Sequence, residues 1–151
     1  MKRQKITLLN EPFDEFIMKD RAKSFALVFE EFRKKKNLMR DDELYNKALM
    51  RKDTYYRIHG GGTSNRDYLF SLALALELNL KETEILFNSC GLTLKGNRYG
   101  IYCDNNAEAR ERGIIFAINH KWDITKLNYA LEKRNLKPLG NVYENKKIRK
   151  K

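Results

Sequence analysis

Apolar residues recur three and four positions apart along most of this chain, and that spacing constrains its fold more than any other feature. Phe25, Val28, Phe29 and Phe32 form one such stripe, and Leu69, Leu72, Ala73 and Leu76 form the clearest one. Leu44 with Ala48 and Tyr55 with Ile58 give shorter faces, and Ile85 and Leu86 follow on the helix that starts near Asn79. Ile114, Ile115 and Ile118, then Ile124, Leu127 and Leu131, give two more. A period near 3.6 places each set on one side of a helix, where it must be buried against another helix. The punctuation agrees. Ser24 and Asp123 stand where N-caps belong, and Asn79-Leu80-Lys81-Glu82 reads as a capping box. Gly60-Gly61-Gly62 and Gly91 are stops. The expectation is about seven helices with short connections, an all-α fold.

The chain divides by composition. Residues 1–23 form an N-terminal arm in which Pro12 breaks an early helix, yet Phe13, Phe16 and Ile17 are too apolar for an idle tail. Residues 24–92 hold five of the helices. Residues 93–140 are an irregular connector followed by a helical hairpin, with a short β-hairpin or an irregular loop both open for 92–104. Pro138 and Gly140 close the folded part, and residues 141–151 are a basic tail.

Charge narrows the partners. Lys and Arg number 31 against 20 Asp and Glu, a net charge of +11 and a pI near 9.6. The excess is concentrated in residues 24–60 and 101–151, and is densest in Lys146-Lys147-Ile148-Arg149-Lys150-Lys151. Such a balance points to polyanions, nucleic acid before anionic membrane. The tail fits a phosphate-binding arm and, equally, a solvated end. With 42% apolar residues the chain has the material for a core. No apolar run reaches the length of a membrane span, and the three-residue apolar run near the N-terminus is too short for a signal peptide. Cys90 and Cys103 are too few for a disulfide framework and lack metal-ligand spacing, so a reducing, cytoplasmic setting is expected.

The block from residue 24 to 92 resembles the Cro/phage-repressor (XRE-type) helix-turn-helix family. Met39-Arg40-Asp41-Asp42-Glu43-Leu44-Tyr45-Asn46-Lys47-Ala48-Leu49-Met50-Arg51-Lys52-Asp53-Thr54-Tyr55-Tyr56-Arg57-Ile58 falls on the family pattern without a gap. Leu44, Met50, Tyr55 and Ile58 occupy its buried positions, and Leu69 to Leu80 is similar to its fourth helix and the turn into the fifth. Residues 110–140 resemble the two extra helices of some bacterial XRE-like proteins. The resemblance implies five short helices, the second and third forming the DNA-reading motif, in a bacterial or phage protein.

On that register a non-enzymatic regulator of transcription is expected to dock its third helix in the major groove of double-stranded DNA. Lys52, Tyr56 and Arg57 would meet base edges, while Arg51, Asn65, Arg66 and the tail cations Lys147 and Arg149 would hold phosphates. Thr63 and Ser64 in the following loop would donate to the backbone. A homodimer is expected, with the last two helices preferred as its face.

Departures from the family pattern support a reading of another class. Asp41 and Asp42 stand where the family usually has Gln, Tyr45 where it prefers a small residue, Leu49 where it prefers Gly, and Arg51 in place of a Ser cap. A phage-encoded inhibitor of a host defence nuclease, anti-CRISPR-like in manner, would use such a scaffold to bind the CRISPR-type nuclease or its guide RNA. Single-stranded nucleic acid is disfavoured, because Tyr55 belongs to the core and leaves only Tyr56 to stack.

Catalytic chemistry finds little support. His59 and His120 lie far apart without ligand partners, and both read as surface residues. Cys90 reads as a buried thiol. The triple glycine lacks a Walker Lys-Ser/Thr and a preceding strand. Asp41, Asp42 and Glu43 suit a helix N-terminus better than a metal. No nucleophile has a base beside it, and neither a cofactor nor a metal is expected.

Overall fold

The computed structural model describes residues 24–37, 39–94 and 106–141. Among them are seven helices and no strand: α1 (Phe25–Lys35), α2 (Asp41–Lys47), α3 (Lys52–Gly61), α4 (Arg66–Ala75), α5 (Leu80–Asn88), α6 (Asn106–Asn119) and α7 (Ile124–Lys133). The all-α expectation holds for these residues. The arm 1–23, most of the connector and the tail after Asn141, with Cys103, Lys147 and Arg149, lie outside the described residues.

Local chemistry sets most helix starts. The Ser24 hydroxyl accepts from the Leu27 N–H at 3.3 Å, and the Asp123 carboxylate accepts from Lys126 N–H at 2.8 Å. Asn79 and Glu82 close a reciprocal box: the Asn79 side chain accepts from Glu82 N–H at 2.8 Å and the Glu82 carboxylate from Asn79 N–H at 2.9 Å. The Asn65 side chain caps α4 by accepting from Tyr68 N–H. Neither α2 nor α3 has a side-chain cap from its own N-cap residue, Arg40 or Arg51. In α2, Asp41, Asp42 and Glu43 face the positive end of the helix dipole instead.

Two ends differ from the sequence expectation. The sequence predicts one short helix over Asp41 to Leu49 and another over Lys52 to His59; the first stops at Lys47, because Leu49 takes φ 52° and the chain turns there. Helix α3 passes His59 and runs to Gly61; only at Gly62, with φ 79°, does it reverse. A side chain at Gly62 would be strained by that φ and would press on Cys90 Sγ at 3.1 Å and Phe25 Cβ at 3.2 Å.

Helix α4 is the axis of the molecule. Its residues Leu69 to Ala75 are all buried, and α2, α5, α6 and α7 pack around it. Helix α1 lies across α3 and α5. A single apolar cluster runs from Phe25, Phe29 and Tyr55 through Leu69, Phe70 and Phe87 to Ile114, Leu127 and Leu131. The hairpin α6–α7 is therefore continuous with the body. Ion pairs reinforce the join. Arg66 on α4 bonds Glu111 on α6 with both ends of its guanidinium fork, and Arg110 on α6 bonds Asp67 on α4 at 2.9 and 3.0 Å. No helix among the described residues is long and apolar enough to cross a membrane.

Candidate nucleic-acid interface

Helix α3 divides cleanly by face. Thr54, Tyr55 and Ile58 are buried. Lys52, Asp53, Tyr56 and Arg57 are exposed, at positions i, i+1, i+4 and i+5 of one face. Tyr56 is 46% exposed and sits edge-on to the Tyr55 ring at 5.1 Å. Tyr45 of α2 completes the aromatic wedge, with ring centroids 5.6 Å from Tyr55 and 6.3 Å from Tyr56. The bulky residue at Tyr45 is thus accommodated between the two helices as a packing element.

The charges on this face are mixed. Arg51 pairs with Asp53 at 3.0 Å, and Arg40 with Asp42 at 3.0 Å. Lys52 and Arg57 have no carboxylate partner among the described residues. Asp41 is turned inward: it accepts from the Tyr55 hydroxyl at 2.6 Å and pairs with Arg33 of α1 at 3.0 Å. Its charge is paired with Arg33, and 36% of its side chain stays exposed. Burial, then the bond to Asp41, pushes the Tyr55 hydroxyl far above its ordinary range. Desolvation, followed by the Asp41 charge, also raises Tyr56 above its ordinary value.

The remaining expected contact residues separate into two groups. Thr63, Ser64 and Asn65 form the loop after α3, where the Thr63 hydroxyl accepts from Asn65 N–H at 3.0 Å and Ser64 is exposed. Arg66 lies elsewhere. Its guanidinium is engaged by Glu111 and by the Thr93 carbonyl at 2.7 Å, and is flanked by the Phe70 and Phe87 rings. Those bonds direct it into the α4–α6 join. His59, expected at the surface, lies edge-on to Phe29 at 5.3 Å and bonds Glu30 at 3.0 Å. Cys90, expected to be buried, is only partly so.

One feature near α3 has no local sequence signal. The turn between α2 and α3 is closed by the last described residue, ninety positions on. Arg51 N–H donates to Asn141 Oδ1 at 2.8 Å, and Asn141 N–H donates to the Leu49 carbonyl at 3.0 Å. Asn141 Nδ2 donates to the Thr54 hydroxyl at 2.9 Å. Gly140, with φ 95°, lies so close that a Cβ there would sit 2.6 Å from the Leu49 carbonyl oxygen.

No group of three metal-ligating side chains occurs among the described residues. No family model matches the chain, and no curated protein or solved structure matches it.

Proposed function

We propose that the chain is a helix-turn-helix protein of the XRE type that binds double-stranded DNA through α3 and regulates transcription. The observation that carries this reading is the exposed trio on α3: Lys52 and Arg57 without carboxylate partners, on either side of an uncharged Tyr56 donor. A ten-residue helix is about 15 Å long and fits a major groove roughly 12 Å wide. Lys52 and Arg57 are five residues apart, or about 7.5 Å along the axis, roughly two base-pair steps. So narrow a contact specifies little sequence alone. A second copy binding a paired half-site would double it, and the α6–α7 face is suited to that role: Phe116 is 48% and Tyr129 64% exposed there. Arg51, the 63–65 loop and the tail cations Lys147 and Arg149 would add phosphate contacts.

The test is binding to a random duplex pool across a salt series, followed by selection. A steep fall with salt and a selected sequence bound far above the pool are expected. Lys52→Ala with Arg57→Ala should then weaken the selected complex by at least about tenfold and relax its sequence preference. Weak binding that no sequence improves would remove the operator-reading model.

The acids Asp42 and Glu43, exposed at the start of α2, favour a second reading. They would repel a phosphate at the edge where the family holds one. A protein that inhibits a nuclease by contact with it or with its guide RNA would keep its activity in the Lys52/Arg57 double variant if it leaves that face unused.

A further inference from the structure

We infer that Asn141, held in place by Gly140 and by Asn128, is a positioning residue for α3, so that the C-terminal hairpin sets how the exposed face of that helix is presented. This rests on the DNA reading for its consequence but not for its geometry.

Helix α3 begins without a cap of its own. Arg51 is extended, with φ −67° and ψ 147°, and its side chain makes no capping bond. The first turn of any helix carries N–H groups that need partners. Here Asp53 takes the Thr54 N–H at 2.9 Å, and Asn141 takes the Arg51 N–H just ahead of the helix. Asn141 is only 8% exposed, and its bonds reach three separate parts of the motif: the turn at Leu49, the start of α3 at Arg51, and the buried face of α3 at Thr54. A residue bonded to a turn and to the helix after it fixes the angle between them.

The other end of this strut is anchored in α7. Asn128 donates to the Leu139 carbonyl at 3.1 Å and accepts from the Leu139 N–H at 2.8 Å, both buried. Leu139 is fully buried, so the segment from 139 to 141 is anchored at its first residue. Gly140 provides the close approach to Leu49 that any side chain would forbid. A continuous path therefore runs from α7, through Leu139 and Gly140, to the start of α3, with buried bonds at Leu139 and Thr54 and a part-buried one at Arg51. Nothing in it touches the exposed trio.

The experiment uses the full chain and three variants: Asn141→Ala, Asn141→Asp and Asn128→Ala. Asp at 141 keeps an acceptor for Arg51 N–H and loses the donor to Thr54. The first readout is amide hydrogen exchange, which needs no ligand. In Asn141→Ala the Arg51 amide should exchange at least about tenfold faster, while the Tyr55 amide, held within α3, keeps its protection. Asn141→Asp should leave the Arg51 amide protected. An unchanged Arg51 amide in Asn141→Ala would overturn the proposal, and if that variant fails to fold, loss of Arg51 protection in Asn141→Asp would overturn it. Asn128→Ala should free the Arg51 amide as well, and its failure to do so would remove α7 from the strut.

The second readout is affinity for the selected duplex. Asn141→Ala should weaken it about tenfold with the salt slope unchanged, because no phosphate contact is lost. A slope smaller by about one would mean that Asn141 meets a phosphate itself, and an unchanged affinity with a freed Arg51 amide would mean that it positions nothing. Should the wild-type chain bind no duplex at all, the DNA reading fails while the exchange result still decides whether the strut exists.

Discussion

Tyr55 fills the core between α1, α2 and α3 and ends in a hydroxyl that has to find an acceptor there. Asp41 supplies it, and Arg33 compensates Asp41, so three helices meet in one chain of bonds. The aromatic at Tyr55 was legible from its spacing with Ile58, and so was its burial. The role of Asp41 was not, because sequence placed it among three adjacent acids at a helix start and gave no reason to single it out. Tyr55→Phe should cost about 1.5–3 kcal/mol, the usual worth of a hydrogen bond to a charged group. The pH dependence has a definite sign. An unfolded Tyr55 releases its proton near pH 10.0, while the folded one holds it well beyond. The native chain thus binds the extra proton in alkali, and its stability is complete below that value and falls as pH rises past it. Denaturant melts between pH 8 and 11 should show this fall, and Tyr55→Phe should flatten it.

Helices were the most legible part of the chain. Periodicity located all seven described elements, and Ser24, Asn79 and Asp123 cap as their identities require, because capping is local and its donors lie two or three residues away. Ends set by conformation were harder to read. Leu49 takes a positive φ that favours glycine, and it does so where Gly140 and Asn141 press on its carbonyl from far along the sequence. The box at the start of α5 also reaches beyond its own helix. Burial raises the Glu82 carboxyl, but the Asn79 N–H and the Lys35 ammonium at 3.0 Å outweigh it, leaving the group below its ordinary value. A lowered carboxyl contributes stability that is present above the unfolded value of 4.5 and lost as pH falls below it. Glu82→Gln retains an acceptor for Asn79 but removes the charge for Lys35. It should destabilise the protein modestly at neutral pH, and the difference from wild type should vanish towards pH 3, which chemical denaturation at the two pH values would measure.

At the scale of the whole molecule, the sequence suggested a five-helix unit with two helices appended, and the packing makes them one body. What composition could not reveal was which cations serve the surface and which serve the join. Arg66 follows a polar loop and reads as a phosphate ligand; in the fold it crosses to Glu111 and the Thr93 carbonyl, 45 and 27 residues away. Pairings at that separation leave no trace in local pattern. Their energetics differ from those of the exposed face. Arg66 and Glu111 are both mostly buried, so removing Arg66 takes its bonds from a largely desolvated carboxylate, at a cost of about 3–5 kcal/mol, whereas an exposed pair such as Arg40–Asp42 is worth about 1 kcal/mol or less. Arg66→Ala should therefore lower the melting temperature by roughly 10 °C, and Arg40→Ala by very little. The core is one cluster from Phe25 to Leu131, so the Arg66 variant should still unfold in a single transition, with Trp122 fluorescence on the hairpin and far-ultraviolet dichroism of all the helices coinciding. Two separated transitions would mean that α6–α7 can detach from the body, and a strut running from α7 to α3 could not then hold the α3 face in place.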